Sequence, residues 1–137
     1  ITNYINNAQL RKINSAGKEL LNMMTELMDE YGELIKEPGR PDEIVGRGPH
    51  TMLGYFKRPE QTEEAFKHGW FHSGDVGTYD EDYYIYVVDR KKDMIKTGGE
   101  NVSSREVEEI IYKHPAVKEV AVVGLPILNG LKLLQLL

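Results

Sequence analysis

His72-Ser73-Gly74-Asp75-Val76-Gly77 and Asp89-Arg90-Lys91-Lys92-Asp93-Met94-Ile95-Lys96-Thr97-Gly98-Gly99-Glu100-Asn101 flank a third run, Tyr84-Ile85-Tyr86-Val87-Val88. The aromatic and β-branched residues of that central run predict a strand. Asp80-Glu81-Asp82 ahead of it reads as a turn. Gly98-Gly99 reads as the turn of a hairpin between Met94-Ile95-Lys96 and Glu100-Asn101-Val102. The first stretch reads as a tight glycine-flanked turn from which the carboxylate of Asp75 projects. An acid on a turn, a strand, then cations and paired glycines is an order suited to gripping a nucleotide's sugar and phosphates.

Taken singly, each residue also has a plainer reading. Asp75 can accept two hydrogen bonds from vicinal hydroxyls, or bond its own turn backbone. Arg90 offers planar donors one residue past the strand end, but Asp89 and Asp93 are at hand for surface ion pairs. Lys91, Lys92 and Lys96 fit a solvated basic face. Gly98-Gly99 suits a hairpin turn as well as a close approach to a slender ligand. His68 and His72 are four apart, yet Gly69 between them argues against the helical geometry of a zinc site, so no metal ligands are assigned. His72, Ser73 and Asp75 are too near one another in sequence to converge as a hydrolase triad.

Upstream, Pro38-Gly39-Arg40-Pro41 is turn chemistry and Glu43-Ile44-Val45 a short strand. Pro59 to Lys67 reads as a short helix, with proline in its first turn and Gly69 as its stop, and Trp70-Phe71 as the apolar anchor of the Asp75 turn. Residues 19–35 support two readings. Leu20, Leu21, Met24, Leu27, Met28 and Tyr31 fit a helical face, which local propensity favours, whereas Asp29-Glu30-Tyr31-Gly32 fits a turn between two short strands. Residues 1–17 read as irregular. Downstream, Ser103 and Glu106 form a capping box, and Val107, Ile110, Ile111 and His114 line one face of a helix over about residues 104–114 that Pro115 ends. A buried strand follows over about residues 117–124. The tail, Leu128 to Leu137, is apolar with no clear partner. Short strands and helices without an internal repeat place the chain in the mixed α/β, or α+β, class.

The 137 residues are close to one average domain, and 40% hydrophobic with 28% charged residues describes an ordinary globular chain. A formal charge of −5 argues against a general nucleic-acid binder. With no cysteine, disulfides, thiolate metal sites and cysteine nucleophiles are excluded. No apolar run reaches the roughly 18–20 residues of a transmembrane helix, and Ile1-Thr2-Asn3-Tyr4 has no secretory pattern, so a cytoplasmic setting is expected. The start without methionine is read as lying inside a longer protein. Nothing in the sequence sets an oligomeric state.

Six elements then fall into a recognisable order: Arg11-Lys12-Ile13-Asn14-Ser15-Ala16-Gly17; Glu43-Ile44-Val45-Gly46-Arg47-Gly48-Pro49; Gly54-Tyr55-Phe56 through Pro59-Glu60-Gln61-Thr62; Gly69-Trp70-Phe71-His72-Ser73-Gly74-Asp75; the 89–101 segment; and Val107-Glu108-Glu109 with His114-Pro115-Ala116-Val117. In this order and spacing residues 11–126 resemble the adenylate-forming family of acyl-CoA synthetases, non-ribosomal adenylation domains and luciferases. The resemblance implies a carboxylic acid, such as a fatty acid, reacting with Mg2+-ATP to an acyl-adenylate, from which the thiol of coenzyme A displaces AMP. It implies that Asp75 meets the ribose hydroxyls, Arg90 the ribose and phosphate region, and that Lys92 is a hinge between a large and a small domain. It further implies that Lys96 serves the thioester-forming step and that Gly98 and Gly99 line the coenzyme A path. On this basis residues 1–91 are expected to be the end of a β-rich subdomain of the large domain. Residues 92–137 are expected to hold the hinge and the start of a small α+β domain. Residues 23–28 and 33–35 should then be strands.

The chain departs from that pattern in several places. The glycine- and Ser/Thr-rich phosphate loop, the Tyr-Gly-x-Thr-Glu element with its metal-ligating glutamate, and the catalytic lysine near the family's C-terminus are not in this sequence. After Pro126 the resemblance stops, and Asn14, Asn22 and Asp42 stand where glycine is common. The chain is therefore read as a fragment of an acyl-CoA ligase, of the fatty-acid or medium-chain type, that does not catalyse adenylation alone. Gly98-Gly99-Glu100-Asn101-Val102 and Asp89-Arg90-Lys91-Lys92-Asp93 favour this branch. The alternatives are a fragment of an adenylation domain loading a carrier protein, and a non-catalytic remnant with at most weak nucleotide binding.

Overall fold

The computed structural model describes residues 2–3, 12–97, 100–126 and 132–136. They form two compact units, Ile1–Val87 and Val88–Leu137. The class is the expected mixed α+β one, built from short strands and two helices. Among the described residues no helix is long and apolar enough to cross a membrane.

The first unit is organised around an antiparallel sheet. In chain order its strands are β1 (Thr2–Asn3), β2 (Lys18–Glu19), β3 (Met24–Met28), β4 (Leu34–Ile35), β5 (Asp42–Arg47), β6 (Phe71–Tyr79) and β7 (Ile85–Arg90), which carries the chain into the second unit. The main sheet has the order β4-β3-β5-β6-β7, and β1 pairs with β2 apart from it. Residues 2–3 are therefore extended and paired, Thr2 with Glu19 and Asn3 with Lys18, where the sequence read as irregular. Two residues carry too little pattern for a strand to be recognised without the partner.

The ambiguous segment resolves into β3 and β4, not a helix. Met24 and Glu26 lie nearer solvent while Thr25 and Leu27 are buried, the period of a strand. Leu27 pairs with Ile35 on one side and Ile44 on the other, and Leu27, Ile35, Tyr79 and Ile85 make the core with Ile44 against it. Burial in this sheet outweighs the helix propensity of Glu, Leu and Met. The β3–β4 turn is closed by Asp29, whose Oδ1 accepts from the N–H groups of Tyr31 and Glu33, both at 2.9 Å. Asp80 repeats the device between β6 and β7, accepting from Asp82 and Tyr84 at 2.9 Å each. Lys12 reaches Asp80 and Asp82 at 2.6 Å. Burial opposes ionisation of Asp80, but Lys12 and the two N–H groups outweigh it and hold the carboxyl below its ordinary range.

Between β5 and β6 lies α1 (Pro59–Ala65), with Pro59 in the first turn as expected. It ends two residues before Lys67, because His68 takes a left-handed φ of +55° inside a 3-10 turn, Lys67–Gly69.

In the second unit β8 (Ile95–Thr97) and β9 (Glu100–Val102) form the expected hairpin, with Lys96 opposite Asn101. Gly98 and Gly99, expected from the sequence to form its turn, lie outside the described residues. The helix α2 (Ser104–Tyr112) is capped by Ser103, whose Oγ accepts from the Glu106 N–H at 3.2 Å. It stops before His114, which leaves the face assigned to it. The next strand begins later than expected: β10 (Val122–Pro126) pairs with β11 (Lys132–Leu136), Val122 opposite Leu136. Residues 117–121 lie before the point where β11 offers pairing, and Val117 instead closes a turn onto the carbonyl of His114. The apolar tail thus has a partner strand.

Candidate functional site

Asp75 lies within β6, on an irregularity of that strand, and not on a tight turn between elements. Val45 of β5 pairs with His72, and Glu43 with Val76. One β5 residue, Ile44, therefore faces three of β6: Ser73, Gly74 and Asp75. This is a β-bulge, a device that breaks the ladder locally and re-aims side chains. Gly74 supplies the conformation it needs, with φ at +77°. Gly77, farther along β6, is required for a different reason: a Cβ there would stand 2.8 Å from Ile44 Cδ1 and 3.0 Å from the Tyr86 carbonyl.

Hydrogen bonds to Glu43, Ile44 and Ser73 fix the bulge. The Gly74 N–H donates to Oε1 of Glu43 at 3.1 Å, and Ser73 Oγ donates to the Ile44 carbonyl at 2.7 Å while accepting from the Asp75 N–H at 3.1 Å. Glu43 Oε2 lies 2.9 Å from Nδ1 of His72, whose Nε2 lies 3.1 Å from the Lys67 carbonyl. Asp75 is half-buried and borders a cavity of about 190 Å³ with Ser73, Ile44, Phe71, Val87 and Thr25. Thr25 Oγ1 is buried there without a hydrogen-bond partner among the described residues. A carboxylate at the edge of an apolar recess is an acceptor for ligand hydroxyls shielded from water. His72 has both ring nitrogens engaged within the protein.

Glu43 drew no notice in the sequence as a site residue. It is in phase with Val45 on β5, and both are buried, at 5% and 0% exposure. An acid on the inward phase of a strand is the signal that could have found it, since buried carboxylates need partners.

Arg90, Lys92 and Lys96 are gathered along one segment of the second unit, all three exposed. Arg90 is the last residue of β7, not one past it, and its carbonyl accepts from the N–H groups of Asp93 at 2.9 Å and Met94 at 3.1 Å, closing the turn that holds Lys91 and Lys92. Asp89 anchors this segment inward: its carboxylate accepts from Ser103 Oγ at 2.7 Å and from the Arg90 N–H at 2.7 Å. Burial works against its ionisation, but these donors and Arg105 at the start of α2 prevail and hold the carboxyl below its ordinary range. Gly98 and Gly99 are outside the described residues.

No protein-family model matches the chain. It is 51% identical over 89 residues to a long-chain-fatty-acid–CoA ligase of Escherichia coli O157:H7, covering 65% of this chain and 16% of that protein. It is 50% identical over 115 residues to a feruloyl-CoA synthase of an Amycolatopsis species, covering 84% of this chain and 23% of that protein. Among solved structures, the o-succinylbenzoate CoA synthetase of Bacillus subtilis in complex with its acyl-adenylate intermediate matches with a TM-score of 0.79 at 37% identity, covering 91% of this chain and 25% of that one. The same protein in complex with ATP and magnesium ion matches with a TM-score of 0.76 at 37% identity, covering 91% and 26%. The chain spans 16% to 26% of the length of these proteins.

Proposed function

The chain is homologous to one segment of the adenylate-forming acyl-CoA synthetases, and from that we propose that it is the part of an ATP-dependent acid–thiol ligase that grips the nucleotide sugar. The proposed parent reaction joins a carboxylic acid to ATP, giving an acyl-adenylate and pyrophosphate, and coenzyme A then displaces AMP. The observation that carries the proposal is Asp75, held on a braced bulge with its carboxylate at the mouth of an apolar recess. The two oxygens of a carboxylate suit the two vicinal hydroxyls of a ribose, and partial exclusion of water strengthens such bonds.

The other roles belong to the same proposal. Arg90 is assigned to the ribose and phosphate region, where its planar donors suit oxygen acceptors. Lys92 is assigned to the hinge, which suits an exposed turn residue just past a strand end. Lys96, exposed on β8, is assigned to thioester formation, in which a cation can stabilise charge on the α-phosphate. Gly98 and Gly99 are assigned to the path of coenzyme A. A cytoplasmic setting and a fatty-acid substrate class complete the proposal. The chain alone is not expected to turn over ATP.

Isothermal titration of the 137-residue chain with AMP, beside an Asp75→Ala variant, is the test. Saturable binding that the variant loses supports the sugar grip. Equal behaviour of the two proteins removes it.

A further inference from the structure

Glu43 is buried beneath the bulge at 5% exposure, and both of its oxygens are committed to β6. Oε1 takes the N–H of Gly74, and Oε2 faces His72 Nδ1. The far nitrogen of the same ring faces the Lys67 carbonyl, which can only accept, so Nε2 carries a hydrogen. Between Nδ1 and Oε2 one further proton must lie, on whichever of the two atoms holds it, because two bare acceptors at 2.9 Å would repel. The result is a continuous chain of bonds running Lys67, His72, Glu43, Gly74. It grips the bulge on both sides, at His72 before it and at Gly74 within it.

The bulge needs such a grip. Three residues opposite one leave ladder positions unpaired, and Gly74 at φ +77° belongs to a backbone with many alternatives. Without the bond to Glu43, the Gly74 N–H and the carboxylate would each lose a partner in a half-buried setting. Asp75 follows directly, its own N–H tied only one step away to Ser73 Oγ.

We propose that Glu43 and His72 are positioning residues for Asp75: they fix the Ser73–Asp75 bulge so that its carboxylate meets the vicinal hydroxyls of a ribonucleotide. This rests on the ribose reading of Asp75 given above. Neither residue touches the ligand in this scheme. Their contribution is geometric: a carboxylate out of position loses hydrogen bonds to the hydroxyls, and one such bond is worth roughly tenfold in affinity.

The test titrates the full 137-residue chain with AMP and with 2′,3′-dideoxy-AMP, in wild type, Glu43→Ala, Glu43→Gln and Asp75→Ala. Glutamine keeps an acceptor for Gly74 and can donate its amide to His72, so it preserves the bond chain. The expected result is an AMP affinity lowered by up to about tenfold in Glu43→Ala, no more than in Asp75→Ala, and largely restored in Glu43→Gln, with dideoxy-AMP binding alike to all four. A merely structural role would lower both ligands together, and that result overturns the proposal. Asp75→Ala separates the two layers: if it leaves AMP affinity unchanged the ribose reading fails, and if it weakens AMP while Glu43→Ala does not, only the positioning role fails. Amide hydrogen exchange gives an independent readout. Gly74 and Asp75 should be protected in wild type and Glu43→Gln and exposed in Glu43→Ala, and unchanged protection in Glu43→Ala overturns the proposal whatever the titrations give.

Discussion

The bulge at Ser73–Asp75 in the first unit and the basic segment at Arg90–Lys96 in the second each carry residues proposed to meet a nucleotide, and they differ in burial. At the bulge the backbone that carries Asp75 is held by hydrogen bonds that involve Ile44, Glu43 and Ser73, and the Asp75 side chain is half-buried. Along the basic segment the side chains of Arg90, Lys92 and Lys96 are exposed, and the backbone is anchored through Asp89 and the turn onto the Arg90 carbonyl. Under the roles proposed for these residues, the difference in burial has a physical reason. Hydroxyls are read by direction, so their acceptor needs a fixed orientation. Charge on phosphate is felt over distance, so cations need only be near and able to move.

The sharpest way to break this contrast is to strain the bulge itself. Gly74→Ala puts a Cβ on a left-handed backbone with nothing within 4 Å to meet it, so its cost is conformational and not steric. A loss of about 1–2 kcal/mol in denaturant unfolding of the first unit is expected, with AMP binding weakened alongside. A neutral outcome would mean that the bulge is not held in this conformation.

Removing the anchor of the other region should matter somewhat less. Ser103→Ala deletes the cap of α2 and one donor to Asp89, for an expected loss of about 1 kcal/mol. The pH dependence has a definite sign. Asp89 in the folded chain sits below its ordinary value of 3.8, so its contribution is complete above that value and fades as pH falls through the folded one. The gap between wild type and Ser103→Ala should therefore narrow on acidification below 3.8, which thermal melts across that range would read. A gap that widens contradicts the role given to Asp89.

The smallest effect is expected from the cations. Lys92→Ala and Lys96→Ala should each change unfolding free energy by less than about 0.5 kcal/mol, since both side chains are exposed. A larger loss would show that these lysines help hold the fold.

The same contrast explains what could be read in advance. Elements with local signals were legible: the Ser103 cap, Pro59 at the start of α1 and the Asp80 turn declare themselves within a few residues. The bulge did not, because it exists only in the register of β6 against β5, where Ile44 answers three residues. For the same reason local propensity alone read β3 as helical, and it was the family resemblance that gave strands over 23–28 and 33–35, which the pairing with Ile35 and Ile44 bears out; β10 was placed too early until β11 defined its start. Asp75 itself was found from its neighbours and their order, but the group that holds it, Glu43, lies some thirty residues away and only the fold brings it near.

The most direct measurement is the affinity of the intact chain for AMP with and without the Asp75 carboxylate. Wild type should bind saturably and Asp75→Ala at least about tenfold more weakly, the equivalent of one lost charge-assisted bond of roughly 1.4 kcal/mol. Equal affinity in the two, or no binding by wild type, would contradict the claim that this segment grips a ribose.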